Sequence, residues 1–510
     1  MENKALFIEK IKESYNPKGE FIYLGSGILE QEIIAPAQVN LALKMMNRHG
    51  LIAGATGTGK TRTLQLIAEQ LSDAGVPVFM LDVKGDLSGL AEAGESNPAL
   101  VERGKMLERP FVPQSFPIEL FSLSGKNGIP LRIKISDFGP VMLARVLDLN
   151  DTQTGVLTAI FKYADDHQIA LINFDDLKAL LNFLSQGEGA MEIAQDYGKI
   201  SSSTSGTILR KIVSVEQQGL SDVFGEPEFD INDLFRKIDD KGIISLLNIS
   251  DVQNQPVLFS TFLLSLLNQL FKNLPEVGNP DKPKLIFFFD EAHLLFKNAS
   301  KVFLSRVDQI IRLIRSKGVG VFFCTQAPTD IPENVLGQLG NRVQHALRAF
   351  TPNDAENLRK TVKTYPNSDF YKIDEILTQL GTGQALITVL NDKGIPTEVV
   401  ATHLIPPRAV MGPLNTSDYD KIIASSDLFQ KYGQSTDSHS AAEVIEERRR
   451  ELEAEAEKLK SKKVSKTRKR SNRQTPVEAA GKTLIRTLAA GAGRIILTAL
   501  TSFLKGKRKR

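Results

Sequence analysis

Gly54-Ala55-Thr56-Gly57-Thr58-Gly59-Lys60-Thr61 is the stretch on which the fold turns. It satisfies G-x-x-x-x-G-K-[ST] at every fixed position, with an apolar strand, Leu51–Ala53, before it and a helix-forming run, Thr63–Gln70, after it. Glycines let the backbone turn so that several N–H groups converge at the positive end of the following helix, and such a point takes phosphate. The expected contact set runs from Gly54, Ala55, Thr56, Gly57, Thr58 and Gly59 to Lys60, Thr61 and Arg62. Lys60 supplies a point charge for the β- and γ-phosphates of ATP, and the Thr61 hydroxyl a ligand for Mg²⁺. A chance glycine-rich turn would show part of this pattern, not all of it in this context.

The partner of that loop is Leu285-Ile-Phe-Phe-Phe-Asp290-Glu291-Ala-His293. Five apolar residues predict a buried strand, and the two acids fall at its carboxyl end, where open α/β sheets bind ligands. Asp290 is expected in the Mg²⁺ shell, and Glu291 is expected to orient and activate water. Two acids after a strand more often cap a helix; the loop at Gly54 gives them a second meaning. Asp-Glu-Ala-His also names a helicase group, whose other motifs are absent here.

Val319–Thr325 predicts a further strand, ending at Gln326, an amide placed to read a γ-phosphate or merely to cap a turn. Asp82, in Asp82-Val-Lys84-Gly85-Asp86, either joins the metal shell or shapes its own loop. In Ile310-Ile-Arg312-Leu-Ile-Arg315-Ser-Lys317 the bases lie opposite the isoleucines. That face is either solvated or carries an arginine for a neighbour's nucleotide, where a guanidinium suits spread transition-state charge. Arg342 and Arg348 compete for that role. The six histidines show no metal-ligand spacing.

Apolar strands alternating with helical patterns predict a parallel sheet covered on both faces, and an α/β, RecA-like core. Further strands are expected at Val76–Leu81, Ile243–Ile249 and Gln384–Val389. A short β segment over 1–40, with runs Phe21–Leu24 and Glu32–Ala35, is followed by a helix-compatible stretch, Gln38–Asn47. The core is expected in two parts, 41–135 and 231–414. They flank an all-helical insertion, 136–230, where Met142–Leu149, Gly155–Tyr163 and Leu177–Leu184 show helical spacing. A charged linker, 415–475, and a basic amphipathic helix, 476–510, complete the chain.

At 42% hydrophobic and 24% charged the composition is that of an ordinary globular protein. One cysteine, Cys324, excludes an intramolecular disulfide and a Cys-based zinc site, as in a reducing cytoplasm. No apolar run reaches the ~18 residues of a spanning helix, and residues 1–20 do not read as a signal peptide. The net charge of +3 conceals an asymmetry: 458–510 hold 17 Lys and Arg against one acid, Glu478, so 1–457 carry −13. Attraction to anionic partners therefore lies in the tail, not the body. In Gly481–Leu504 the residues Leu484, Leu488, Ile495, Ile496, Leu500, Phe503 and Leu504 recur at near-helical spacing opposite Lys482, Arg486 and Arg494. Such a helix lies on an anionic membrane surface, docks on its own assembly through Ala489–Gly493, or holds DNA.

The phosphate loop, Asp82–Gly89, Phe289–His293, Arg315–Gly318 and the late motif Leu336–Pro352 together resemble the HerA–FtsK superfamily of ring-forming ATPases. Within it they are most similar to the YjgR-type bacterial branch, over about residues 20–412. The resemblance implies a hexameric ring with ATP and Mg²⁺ at subunit interfaces, Arg315 acting in trans, and Gln326 as the strand-end polar sensor. The chain lacks room before the loop for HerA's sizeable β-barrel and shows neither the membrane domain nor the winged helix of FtsK. ATP hydrolysis is thus implied more firmly than DNA translocation. The rival expectation is a cytoplasmic ATPase acting on protein or peripherally at the inner membrane face; a switch with little turnover sits poorly with an intact Glu291.

Overall fold

The computed structural model describes residues 2–454 apart from 219–220, 253–254, 298, 300, 350, 437 and 452–453. Two compact units are distinguished, Met1–Ile445 and Glu446–Arg510; within the second, residues 446–451 are helical. The basic run 458–473 and the amphipathic helix expected over 476–510 lie outside the described residues.

The first unit opens with helix α1 (Glu2–Ser14), strands β1 (Phe21–Leu29) and β2 (Glu32–Ala42), and β3 (Gly50–Ala53), which runs into the phosphate loop. Helix α2 (Lys60–Asp73) follows, then β4 (Val78–Asp82), α3 (Pro98–Met106), β5 (Ile118–Ser122) and the two-residue β6 (Ile129–Pro130). A wholly helical stretch comes next: α4 (Ile135–Phe138), α5 (Pro140–Val146), α6 (Asp151–Asp166), α7 (Phe174–Ser185), α8 (Gly187–Asp196) and α9 (Ser202–Gln217). A small hairpin, β7 (Lys237–Ile238) and β8 (Lys241–Gly242), leads back to β9 (Ile244–Asn248) and α10 (Pro256–Asn273). The remaining elements that build the site are β10 (Leu285–Phe289), α11 (His293–Phe296), α12 (Lys301–Ile314), β11 (Val319–Thr325), β12 (Asn341–Gln344), β13 (Gln384–Thr388) and β14 (Val400–Leu404).

Twelve strands form one sheet in the order β2-β1-β14-β13-β12-β3-β11-β10-β4-β9-β5-β6. Neighbours from β12 to β6 run parallel, and those from β12 to β2 antiparallel. The parallel strands are continuous apolar runs because helices cover both faces. Along β10, Leu285, Phe287 and Phe289 enter the core on one face, and Ile286 and Phe288 the core on the other. Each fully buried Phe contributes about 1.5–3 kcal/mol, so this strand cannot slip by one residue without exchanging both faces. Phe287 stacks on Phe79 with ring centroids 4.8 Å apart, tying β10 to β4.

Helix α2 buries Leu64, Ile67, Ala68 and Leu71 at helical spacing. It stops at Gly75, in the left-handed region at φ +73°, where the Val76 N–H reaches back to the Leu71 carbonyl. In α12 the apolar stripe Phe303, Val307, Ile310, Ile311 and Ile314 is buried, while Arg312 faces solvent and pairs with Asp308.

Two expectations are corrected. Residues 2–14, placed in a short β segment, are helical, because Phe7 and Ile11, one turn apart, both bury completely. Gln38–Asn47 is not an α-helix: β2 continues to Ala42 because Gln38–Ala42 pair with β1, and only Leu43–Arg48 turns, as 3₁₀. The helical stretch between the two parts of the core is as expected, and so are the covered parallel strands. No helix among the described residues is long and apolar enough to cross a membrane.

Candidate active site

The phosphate loop leaves the sheet at its middle strand and is held from three sides. Gly54 N–H donates to the Thr325 carbonyl (3.2 Å), Ala55 N–H to the Ala346 carbonyl (2.9 Å), and Gly383 N–H to the Thr58 carbonyl (3.3 Å). Thr58, buried, closes the turn by donating to the Ala55 carbonyl at 2.7 Å. A Cβ at Gly54 would stand 2.5 Å from the His345 Cβ, so only glycine lets β3 turn here. Gly57 and Gly59 are left-handed, at φ +78° and +110°, and place Thr56 and Gly57 on the exposed crest with Lys60 and Thr61 opening α2.

His345, from the late motif, is the support the sequence reading passed over. Its Nδ1–H donates to the Gln384 carbonyl (3.1 Å), which leaves Nε2 to accept from the Thr63 hydroxyl (2.9 Å). Burial pushes it down to about 4, and Lys60's charge acts in the same sense, so the ring stays neutral above that range.

Lys60 folds back onto its own loop, donating to the carbonyls of Gly54 (2.8 Å) and Ala55 (3.2 Å). A phosphate oxygen is a stronger, charged acceptor for the same ammonium. Arg62 is spent elsewhere: its guanidinium donates to Gln65 Oε1 (3.0 Å) and the Met411 carbonyl (2.9 Å).

Strand β11 lies between β3 and β10, so the loop, Gln326 and the acid pair share one sheet edge. Asp290 accepts from the Glu291 N–H at 2.9 Å. Burial raises its carboxyl above the ordinary range, Glu291 adds to the rise, and the Glu291 N–H, the Cys324 thiol and Lys60 oppose it. Glu291 sits at φ +49°, a left-handed conformation that costs a non-glycine residue on the order of 1–3 kcal/mol and persists where the surroundings over-determine it. The next residue is clamped, with the Ala292 N–H on the Cys324 carbonyl at 2.9 Å. Gln326 is exposed on a loop fixed by Asp330, which accepts from the Thr325 hydroxyl (2.7 Å) and the Ala327 N–H (2.9 Å).

Asp82 resolves toward loop shaping. Its two oxygens accept the N–H groups of Gly85 (2.8 Å), Asp86 (3.1 Å) and Leu87 (3.1 Å), and burial pushes it up to about 6. A hydroxyl at the helix start and a half-buried carboxylate, as in Thr61 and Asp290, are oxygen donors of the kind a hard divalent cation takes. Asp82 has both oxygens taken by backbone N–H groups, whereas Asp290 accepts one backbone N–H, that of Glu291. Asp290 thus fits Mg²⁺ better than Asp82 does.

Arg315 is not brought to this edge. It follows α12 and precedes β11, at the opposite end of a seven-residue strand that is ~20 Å long. There it lines a cleft of 560 Å³ with Arg48, Arg312, Arg342 and Lys363, and the cleft lining holds no acid. Its side chain makes no hydrogen bond or ion pair among the described residues, whereas its two competitors are engaged. Arg342 donates to the carbonyls of Leu339, Thr364 and Leu336, and Arg348 to those of Thr378 and Leu380.

A glycine-rich loop on the central strand, faced across one intervening strand by an acid pair, defines a P-loop NTPase with a RecA-like core. The chain belongs to the helicase HerA-like C-terminal family, whose description matches residues 29–510. It is 22% identical over 373 residues to the DNA double-strand break repair helicase HerA of Sulfolobus acidocaldarius, across 69% of this chain and 64% of that protein. It is 23% identical over 380 residues to the DNA import protein CedB of the same organism, across 73% of this chain and 54% of that one. The chain thus spans less than two thirds of the length of either relative. Among solved structures, the bacterial conjugative coupling protein TrwBdeltaN70 matches with a TM-score of 0.51 and 14% identity, over 80% of this chain and 94% of that one. At that identity the likeness is one of fold.

Proposed function

We propose that this protein hydrolyses ATP as a ring-forming motor and couples hydrolysis to movement along DNA. One observation carries the reading: the loop, Asp290 and Glu291 share one edge of the sheet while Arg315 stands unpaired at the other. A complete catalytic set therefore takes two copies, head to tail, and a head-to-tail contact that closes makes a ring. A hexamer is the size the family resemblance favours.

In this reading Lys60 and the N–H groups of Thr56, Gly57 and Gly59–Thr61 hold the β- and γ-phosphates, those of Gly54 and Ala55 being taken by the Thr325 and Ala346 carbonyls. Thr61 and Asp290 would hold Mg²⁺, which would screen the phosphate charge. Glu291 accepts a proton from the water that attacks the γ-phosphorus, and the bond to the β-phosphate oxygen breaks with its electron pair on ADP. Gln326, at the end of the strand between loop and acids, contacts the γ-phosphate and passes its loss to the loop that Asp330 fixes. Arg315 of the neighbouring copy meets the charge spread over the transferring group.

DNA is favoured as the polymer by what the two archaeal relatives are named for, and by the basic tail. The net −13 of residues 1–457 opposes broad contact with phosphates, since such affinity comes from Lys and Arg. The amphipathic pattern of Gly481–Leu504 favours a second reading, a cytoplasmic ATPase held peripherally at the inner membrane face, where each basic residue adds about 1 kcal/mol. The two separate when ATPase rate is measured for the full chain and for a chain ending at Thr475. Linear duplex DNA, single strands and anionic liposomes are added in turn. Duplex DNA is expected to stimulate the full chain, and truncation to weaken retention on DNA while sparing basal hydrolysis. Stimulation by liposomes alone, lost on truncation, would replace DNA with the membrane surface.

A further inference from the structure

Glu291 and His293 face one another across the tight turn that the left-handed residue 291 creates. Glu291 Oε2 and His293 Nδ1 lie 3.2 Å apart. Both atoms are closed off from solvent, and neither has a hydrogen-bond partner among the described residues. The distance is that of a hydrogen bond, though the alignment falls short of one. Catalytic hydrogen bonds commonly tighten only when the substrate is in place. Two buried polar atoms that have only each other are an arrangement with a use, because either alone would be left unsatisfied.

We propose that His293 is a positioning residue for Glu291. Its Nδ1–H takes Oε2, fixes the rotation of the carboxylate, and leaves Oε1 for the attacking water. The inference rests on the water-activating role given to Glu291 above. A glutamate side chain has three torsions, and a base displaced by an ångström loses ~10²-fold in rate. Backbone clamping at Ala292 fixes the turn but not those torsions; the imidazole does. As a residue that acts through Glu291, His293 is expected to affect turnover and not binding.

The test uses full-length protein with His293→Ala, His293→Gln and His293→Asn, beside Glu291→Gln. The Asn amide nitrogen sits as many bonds from Cα as Nδ1 does; the Gln nitrogen sits one further. Ala and Gln at 293 are expected to lower kcat ~10–100-fold, with KM and the affinity for a fluorescent ATP analogue unchanged, and Asn to restore most of kcat. Adding His293→Ala to Glu291→Gln is expected to slow hydrolysis no further, because both changes remove one function. Wild-type kcat in His293→Ala beside an inactive Glu291→Gln would overturn the proposal alone. So would an Asn variant as slow as Ala, or a double variant slower than Glu291→Gln by the full factor. Wild-type hydrolysis by Glu291→Gln would instead remove the role of Glu291, and that of His293 with it. Should the Ala variant fail to bind nucleotide, the comparison of Asn with Gln decides.

Discussion

Arg315→Ala is expected to bind ATP with near-normal affinity and to hydrolyse it ~10³-fold or more slowly, the loss typical when an arginine acting across an interface is removed. The expectation comes from position. The side chain stands a strand's length from its own phosphate loop, so its removal leaves the binding site of the same chain untouched. The informative experiment mixes Arg315→Ala with Glu291→Gln, after subunit exchange has been confirmed with labelled chains. Neither variant turns over alone. In a random one-to-one mixture about a quarter of head-to-tail interfaces join an intact Glu291 to an intact Arg315, so activity returns to roughly that fraction if interfaces work independently. Confirmed exchange without recovery would assign Arg315 a role within its own chain and reopen Arg342 and Arg348. Their engagement with backbone carbonyls makes them structural in the present account.

Glu291→Gln has the second large effect: nucleotide binding kept, hydrolysis lowered ~10²–10⁴-fold, as for loss of a positioned base. The amide preserves size and still accepts through its carbonyl, so the turn at φ +49° is undisturbed. Lys60→Ala is the complementary change and weakens ATP binding itself, since the ammonium is the loop's own charge. The two phenotypes are read by equilibrium binding of a fluorescent analogue beside steady-state hydrolysis. A Glu291→Gln protein at wild-type rate would move the general base elsewhere.

The site was legible in the sequence to the extent that its residues are local. A loop of fixed spacing and five apolar residues ended by two acids need no partner to be recognised, and Val319–Thr325 occupies the strand expected of it. What stayed hidden is tertiary. His345 supports the loop through a contact between residues 282 apart in sequence, and no periodicity marks it. Strand β12, beside the loop strand, was missed because Asn341 and Gln344 break its apolar pattern. Asn341 is tolerated there because its side chain bonds the carbonyls of Met45 and His49 and the Leu390 N–H. Helix α1 escaped because only one turn of it, Phe7 and Ile11, is buried. Gln38–Asn47 misled because Val39, Leu43 and Met46 recur at helical spacing, although Val39 belongs to a strand and Leu43 and Met46 to a 3₁₀ turn. The placement of Arg315 at the far edge follows only from topology: a residue between a helix and the next parallel strand lies opposite the loops that follow the strands.

The central claim is that hydrolysis at this site drives the protein along duplex DNA. Displacement of a third strand from a linear duplex, followed in real time with ATP, tests it most directly. The account predicts displacement that requires ATP, stops with a non-hydrolysable analogue, and is absent in Glu291→Gln. Vigorous ATP hydrolysis on the same duplex with the third strand left in place would contradict it.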